Sequence, residues 1–135
     1  MYRCEICGEI GDIHHIVHMC EGGLDVKLNH KYLCSFHHRG INGPHGNSYI
    51  DLKYKLDLQY ELIGILNKDY YNKKELMIKL GIGINAFKKL THELIIYKNG
   101  YSRESIIKRF MGGKIYDENM DIIEIKLSKL QKSFR

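Results

Sequence analysis

The stretch Leu28–Gly40, LNHKYLCSFHHRG, contains the residues that decide the fold and the chemistry of this chain. Within it, Cys34 and His37 are spaced as Cys-x-x-His, and a second histidine, His38, follows directly. A Cys-x-x-His pair can present two ligands to one metal ion. Neighbouring residues of a helix, by contrast, project about 100° apart. We therefore expect His37 and His38 to serve two different sites.

A matching pair of thiols lies near the start of the sequence. Cys4 and Cys7, in CEIC, can point at one ion, and Cys34 with His37 completes a set of four soft or borderline ligands. Such a set predicts a closed, tetrahedral structural zinc that stabilises a loop-rich segment. The alternative is a group of unpaired surface cysteines beside a loose histidine. Cys20 is left over, and we expect it to be reduced and buried.

The charge and hydropathy of the sequence indicate which kinds of partner this chain can bind. The chain has 135 residues and a formal net charge of +5, which favours a polyanion such as double-stranded DNA. No apolar run approaches the roughly 20 residues of a membrane span, and no charged-then-apolar leader is present. We therefore expect a soluble protein of the cytoplasm that makes no membrane contact. Thiols stay reduced there, which favours metal binding over disulfides.

The composition changes near residue 50. Residues 1–49 hold all four cysteines and seven of the eight histidines, whereas residues 50–135 are rich in Ile, Leu, Lys, Glu and Tyr. Ligand-rich loops followed by periodic apolar segments predict an α+β chain. Its N-terminal module would span 1–49, and a mainly helical part would span 50–135.

Helical periodicity recurs through the second part. The segment 50–65 also fits strand alternation, but its length and its Leu, Lys, Gln and Glu content favour a helix. Its apolar face would carry Leu52, Leu56, Tyr60 and Ile63.

Two further helices are predicted towards the end of the chain. One begins after Ser102 as N-cap and ends at Gly112 and Gly113. The last runs from Asp117 to about Gln131, and its apolar face would allow a homodimer.

Residues 73–97 fit a helix-turn-helix with its turn at Gly81. The apolar positions expected around such a turn are filled by Leu76, Leu80, Ile82, Phe87 and Leu90. This arrangement would leave Asn85, Lys88 and Lys89 exposed to read a DNA major groove. The alternative is an ordinary helical hairpin whose lysines form a solvated face.

A second histidine pair, His14 and His15, lies in DIHHIV, which is typical of a half-buried strand. Adjacent residues of a regular strand point to opposite faces, so both can serve one site only where the strand ends or bulges. The alternative is one packed and one exposed histidine.

Taken in order, DIHHIV, Gly22 and Gly23, Asn29, and Cys34-x-x-His37-His38 resemble the HNH, or ββα-metal, nuclease family. The resemblance covers residues 4–47, and His37 stands where the family's usual motif has a second cysteine. It implies a zinc-stabilised ββα-metal fold.

The resemblance also implies roles for individual residues. His15 would be the general base, and His14 and His38 would bind one catalytic cation, Mg²⁺ or Mn²⁺. Asn29 would brace the loop and orient His15. Some members carry a further histidine ligand where this chain has Asn42, so the role of Asn42 is open. Arg39 and His45 are candidates for contact with a DNA phosphate.

The function implied is that of a small, phage-like HNH endonuclease in a phage or bacterial host cytoplasm. It would hydrolyse DNA to 5′-phosphate and 3′-hydroxyl ends, with the helical part positioning it. A non-catalytic zinc-containing DNA-binding regulator also explains the charge and the zinc ligands. A zinc-stabilised protein-interaction module is a third alternative.

Overall fold

A computed structural model describes residues 1–118, and the helix predicted from Asp117 to about Gln131, with its homodimer contact, falls outside them almost entirely. Over the described range the chain is α+β, as predicted. Two short 3₁₀ turns, Met19–Glu21 and Lys27–Asn29, interrupt the N-terminal part. In chain order the elements are β1 (Tyr2–Arg3), β2 (Ile10–His15), β3 (His30–Leu33), α1 (Ser35–Arg39), α2 (Ser48–Ile65), β4 (Tyr70–Tyr71), α3 (Lys73–Leu80), α4 (Ile84–Thr91), β5 (Tyr101–Ser102) and α5 (Arg103–Phe110).

The N-terminal strands form an antiparallel sheet in the order β1-β2-β3. In the β2–β3 ladder, Asp12 pairs with Leu33 and His15 pairs with His30. Helix α1 begins directly after β3 and contacts both β2 and β3. The side chains of β2, β3 and α1 are thereby brought together at one end of a small β-β-α unit.

The loop between β2 and β3 is held from inside by one buried amide. The Asn29 side chain is fully buried; it accepts a hydrogen bond from the Val17 N–H and donates to the carbonyls of Val17 and Leu24. Gly23 lies against the same backbone, where a Cβ would be 1.9 Å from the Val17 oxygen. Only glycine fits this contact, and the loop is therefore drawn tightly onto itself.

Helix α2 confirms the helical interpretation of residues 50–65, although its buried face is different from the predicted one. Leu58 and Leu62 are buried, whereas Tyr60 and Ile63 are exposed. The buried stripe also includes the polar residue Lys55. The buried face predicted from the apolar residues alone is therefore rotated about the helix axis relative to the observed buried face.

Helices α3 and α4 are joined at Gly81, which has φ +62°, in the left-handed region that ends many helices. The burial predicted around this turn is confirmed, and the three polar side chains of α4 proposed for DNA are exposed. Their use on DNA stays a prediction. The buried residues are Leu76, Leu80, Ile82, Phe87 and Leu90; the exposed ones are Asn85, Lys88 and Lys89.

Helix α5 has the predicted N-cap, since the Ser102 hydroxyl accepts a hydrogen bond from the Ser105 N–H. Arg109 donates to the Gly22 carbonyl at 2.8 Å. Just beyond α5, Gly112 has φ +85°, and a Cβ there would lie 2.5 Å from the Glu21 oxygen. The end of α5 therefore packs directly on the β2–β3 loop.

One cluster of buried apolar side chains extends across the predicted boundary at residues 49 and 50. It includes Val17 and Leu33 from the first part, and Leu62 and Phe110 from the second. The division into two units stays a prediction. None of the helices in the described part of the chain has the length and apolarity needed to cross a bilayer.

Candidate metal centre

Three short elements bring the predicted zinc ligands together. Cys4 and Cys7 lie in the turn between β1 and β2, and Cys34 is the N-cap of α1. The Cys34 Sγ accepts a hydrogen bond from the backbone N–H of His37, in the first turn of that helix. Both halves of the ligand set are therefore fixed by backbone geometry.

The distances suit a tetrahedral ion. The Cys4 Sγ lies 3.6 Å from the His37 Nδ1, and the Cys7 Sγ lies 3.7 Å from the Cys34 Sγ. The Cys34 Sγ is 3.2 Å from the His37 Nδ1. Zinc bonded to sulfur and nitrogen would place such atoms about 3.5–3.8 Å apart. The first two distances lie in this range, and the third is about 0.3 Å shorter. The sulfurs are too far apart for a disulfide, so these four residues can hold a metal such as zinc.

The surroundings of the Cys4 thiol favour its thiolate form. Burial alone would raise its pKa, but hydrogen bonds from the backbone of Cys34, Cys7 and Ile6 lower the pKa of Cys4 to about 6. Thiolate is the form that binds metal. Cys20, predicted to be buried, is exposed and lies in the surface turn Met19–Glu21, a 3₁₀ turn that contains no buried residue.

A second group of ligand atoms lies beside α1. The His14 Nδ1 is 3.2 Å from the His38 Nε2, and the His45 Nε2 is 2.9 Å from that same nitrogen. Three imidazoles around one ion, with bonds of about 2.0–2.1 Å, would place their nitrogens roughly 2.9–3.4 Å apart. His14, His38 and His45 thus have the separation expected of three ligands to a single ion.

Burial keeps this group unprotonated. It lowers the pKa of His14 to about 3, and the charges of neighbouring histidines act in the same direction. Burial also lowers the pKa of His38 and of His45. The His14 Nε2 is buried, with no hydrogen-bond partner among the described residues. Neutral imidazoles are the form that binds metal.

The nature of the ligands bears on the identity of the ion. Imidazole nitrogens suit Zn²⁺, Ni²⁺, Cu²⁺ or iron, whereas Mg²⁺ and Mn²⁺ prefer oxygen ligands. Although His14 also belongs to a group with His18 and the carboxylate of Asp51, the set formed by His14, His38 and His45 contains no oxygen ligand. Its chemistry favours a transition-metal ion over the Mg²⁺ or Mn²⁺ that the family resemblance implies.

His15, the last residue of β2, contacts a carboxylate that was not predicted. Its Nε2 lies 2.9 Å from Asp25 Oδ1, and the Nε2 of His30 lies 2.8 Å from the same oxygen. Asn29 was expected to brace the loop and to orient His15; its side chain braces the Val17–Leu24 loop, and its hydrogen bonds go to that backbone and not to the His15 ring. The side chain that orients the His15 ring is that of Asp25.

A cavity of about 200 Å³ lies next to both His15 and the three-histidine group. His15 lines it together with the three histidines of the metal group, and Arg39 lines it from α1. The structure thus brings together His14, His15, His38, Arg39 and His45, while Asn85, Lys88 and Lys89 lie on α4 and do not line it. Asn42 is exposed.

Helix α2 reaches the same region through a buried ionic network. Asp51 lies 3.1 Å from the His18 Nε2 and 2.9 Å from the Lys55 Nζ, and Lys55 also pairs with Glu21 at 2.9 Å. Burial opposes ionisation of Asp51, but the hydrogen bond from His18 and the charge of Lys55 prevail and lower its pKa to about 2. The network ties α2 to the β2–β3 loop.

Replacing Lys55 with methionine is expected to lower the free energy of unfolding at pH 7 by about 3–5 kcal/mol. The change removes the cation that the buried Asp51 shares with the partly buried Glu21. Urea unfolding followed by circular dichroism measures the loss. Lys53→Met, on the exposed side of the same helix, is the matched control and should shift stability by less than about 0.5 kcal/mol. Equal stability of the two variants would contradict a stabilising role for the network.

Several residues of the site escaped prediction. The sequence offered no reason to assign His18, His30, Asp25 or Asp51 to a site. The register of β2 on β3 places His30 directly opposite His15, so a strand-pairing argument was the available signal for that residue. Asp51 has a local partner, Lys55, one helical turn along α2, but its contact with His18 joins residues 33 apart in the sequence, and no local pattern marks that contact.

No protein-family model matches this chain, nor does any curated protein or solved structure. The likeness to HNH nucleases therefore rests on the residues and spacings described above. Family membership stays a prediction, and the function has to be argued from the geometry of the site.

Proposed function

We propose that this protein is a metal-dependent DNA endonuclease of the HNH type. The observation that carries the proposal is the shared cavity: His15, oriented by Asp25, faces the same small space as His14, His38 and His45. A candidate base next to a candidate ion site is the arrangement that metal-assisted hydrolysis of a phosphodiester requires. The order β2, β3, α1 agrees with the ββα unit that the resemblance implies.

His15 has one nitrogen available as a base. When its Nε2 carries the proton and donates to Asp25, the lone pair of a neutral imidazole is on Nδ1. That nitrogen can accept a proton from an attacking water at neutral pH. Asp25 therefore selects the tautomer, and it stabilises the imidazolium that forms on proton transfer.

His14, His38 and His45 would hold the ion. When bound, the ion would stabilise the negative charge that develops on the phosphate and on the leaving oxygen. Arg39 lines the same cavity, so its guanidinium can bind a phosphate oxygen there. Cys4, Cys7, Cys34 and His37 would supply four protein ligands to a structural zinc, which would then have no open position and take no part in the chemistry.

The helical part would position this site on DNA. Asn85, Lys88 and Lys89 lie exposed on α4, the second helix of the α3–α4 pair. Asn can pair with adenine and Lys with guanine or phosphate. Two other basic residues have partners within the protein: Arg103 donates to the Ile63 and Leu66 carbonyls at the end of α2, and Arg109 to Gly22. This makes them poor candidates for tracking phosphates.

The alternative is a zinc-containing DNA-binding regulator without catalysis. It accounts for the net charge, the Cys4 cluster and the exposed face of α4. It gives no reason for three imidazoles with ligand spacing to lie beside a histidine oriented by a carboxylate.

Incubation of supercoiled plasmid with the protein separates the two. We expect nicked or linear plasmid with Zn²⁺, Ni²⁺ or Co²⁺, weaker cleavage with Mg²⁺, and none in EDTA until metal is restored. A His38→Ala preparation, purified identically, controls for contaminating nucleases. Retarded but uncut DNA with every metal would favour the regulator and overturn the proposal.

A further inference from the structure

His15, Asp25 and His30 form a third group of converging ligand atoms, separate from the two described above. Both histidine Nε2 atoms point at the same Asp25 oxygen, at 2.9 Å and 2.8 Å. Ligands with bonds of about 2.0–2.1 Å that meet at right angles on one ion lie roughly 2.9 Å apart. Each imidazole nitrogen therefore lies at the separation from the Asp25 oxygen that neighbouring ligands on one metal ion have, and the three donor atoms lie within 4.8 Å of one another.

The scaffold under these side chains is rigid. His15 and His30 face each other across the β2–β3 ladder, and their rings meet edge to face at 5.1 Å. Only about a quarter of the His15 side chain and a seventh of that of His30 is exposed. Asp25, by contrast, is about two-thirds exposed. An ion can thus arrive from solvent on the Asp25 side and find two imidazoles already in position.

We propose that His15, Asp25 and His30 bind a divalent transition-metal ion such as Zn²⁺, and that this ion switches off the proposed nuclease. Two histidines and one carboxylate are a common ligand set for first-row transition metals. The metal-binding half of this proposal stands on the geometry alone. The switching half rests on the proposed function, in which His15 is the base.

The inhibition follows from the chemistry of imidazole. A neutral imidazole has one N–H and one lone pair. An ion on the His15 Nε2 takes the lone pair at that nitrogen, so the Nε2 proton leaves to solvent and Nδ1 takes one up. His15 stays neutral, but Nδ1 can no longer accept a proton from water. Asp25, already a carboxylate, becomes a ligand in place of a hydrogen-bond acceptor.

Equilibrium dialysis against Zn²⁺, with bound zinc counted by atomic absorption, tests the site directly. We expect His30→Gln and Asp25→Asn each to bind one equivalent of zinc fewer than the wild type. His92→Gln, which removes an exposed histidine outside all three groups, should bind as much as the wild type. Asp25 is exposed enough that its change should leave the circular dichroism melting curve unaltered. Full zinc content in both variants would overturn the site.

Plasmid cleavage as a function of zinc concentration tests the switch. Wild-type cleavage should rise as the His14, His38 and His45 group fills and then fall at least about 10²-fold, the contribution of a general base. His30→Gln should keep the rise and lose the fall. A fall that persists in His30→Gln would contradict the switch. Absence of cleavage at any zinc concentration would contradict the proposed function, and the zinc count would still decide the site.

Discussion

Cys34→Ser is expected to release the structural zinc and unfold the N-terminal part of the chain. Cys34 is both a member of the four-ligand cluster and the N-cap of α1. Serine is itself a good N-cap, so the substitution removes one metal ligand and leaves the start of the helix capped. Structural zinc binds with an apparent free energy of about 10–16 kcal/mol, and that energy is also folding energy. A typical domain is stable by only about 5–15 kcal/mol. Loss of even part of the zinc contribution therefore removes most of the stability.

The measurement is a thermal melt together with the zinc content of the purified protein. Cys20→Ser makes the same chemical change at an exposed cysteine outside the cluster, and it should melt like the wild type. If Cys34→Ser kept its full zinc content and its melting temperature, the cluster would not be a structural metal site.

His15→Gln is expected to slow metal-dependent DNA cleavage by about 10²–10⁴-fold, the range for loss of a general base. Glutamine can still donate a hydrogen bond to Asp25, but its amide accepts no proton from water at neutral pH. Binding of metal by His14, His38 and His45 should be unaffected, because His15 lies outside that group. The variant therefore separates the base from the ion.

Nicking rates with protein in excess over plasmid, at low zinc, give the comparison. His92→Gln removes an exposed histidine from the end of α4 and should cleave at the wild-type rate. Undiminished cleavage by His15→Gln would show that another group takes the proton, and it would leave the endonuclease proposal standing with a different base.

Local features of the fold were predictable because local interactions produce them. Ser102 caps α5 because its side chain accepts a hydrogen bond from the first turn of the helix. Gly81 ends α3 because glycine readily adopts the left-handed backbone conformation needed there. The buried face of α2 was not predictable in the same way. Lys55 lies on it because its charge is matched by Asp51, one turn away on the same helix, and by Glu21, which the fold brings in from the β2–β3 loop.

The candidate metal sites show the same difference between local features, which could be predicted, and contacts between distant segments, which could not. Spacing alone identified Cys4, Cys7, Cys34 and His37, since each pair sits on one short turn. For the second site, spacing and the family resemblance named two of the three converging histidines as ligands. His45 was considered as a phosphate contact, with a role at the metal left open, and only the path of the chain between α1 and α2 brings its ring to His38.

The sequence by itself determined the ligand set of Cys4, Cys7, Cys34 and His37, the end of α3 and the start of α5, because ligand spacing and capping act within a few residues. The tertiary structure alone decided which carboxylate holds His15, which histidine joins His14 and His38, and which face of α2 is buried. Those outcomes depend on contacts between segments far apart in the chain, whose geometry follows from strand register and core packing. His37 and His38 show both levels at once. Their adjacency is written in the sequence, but the separate partners that they meet, Cys4 and His14, are set by the fold.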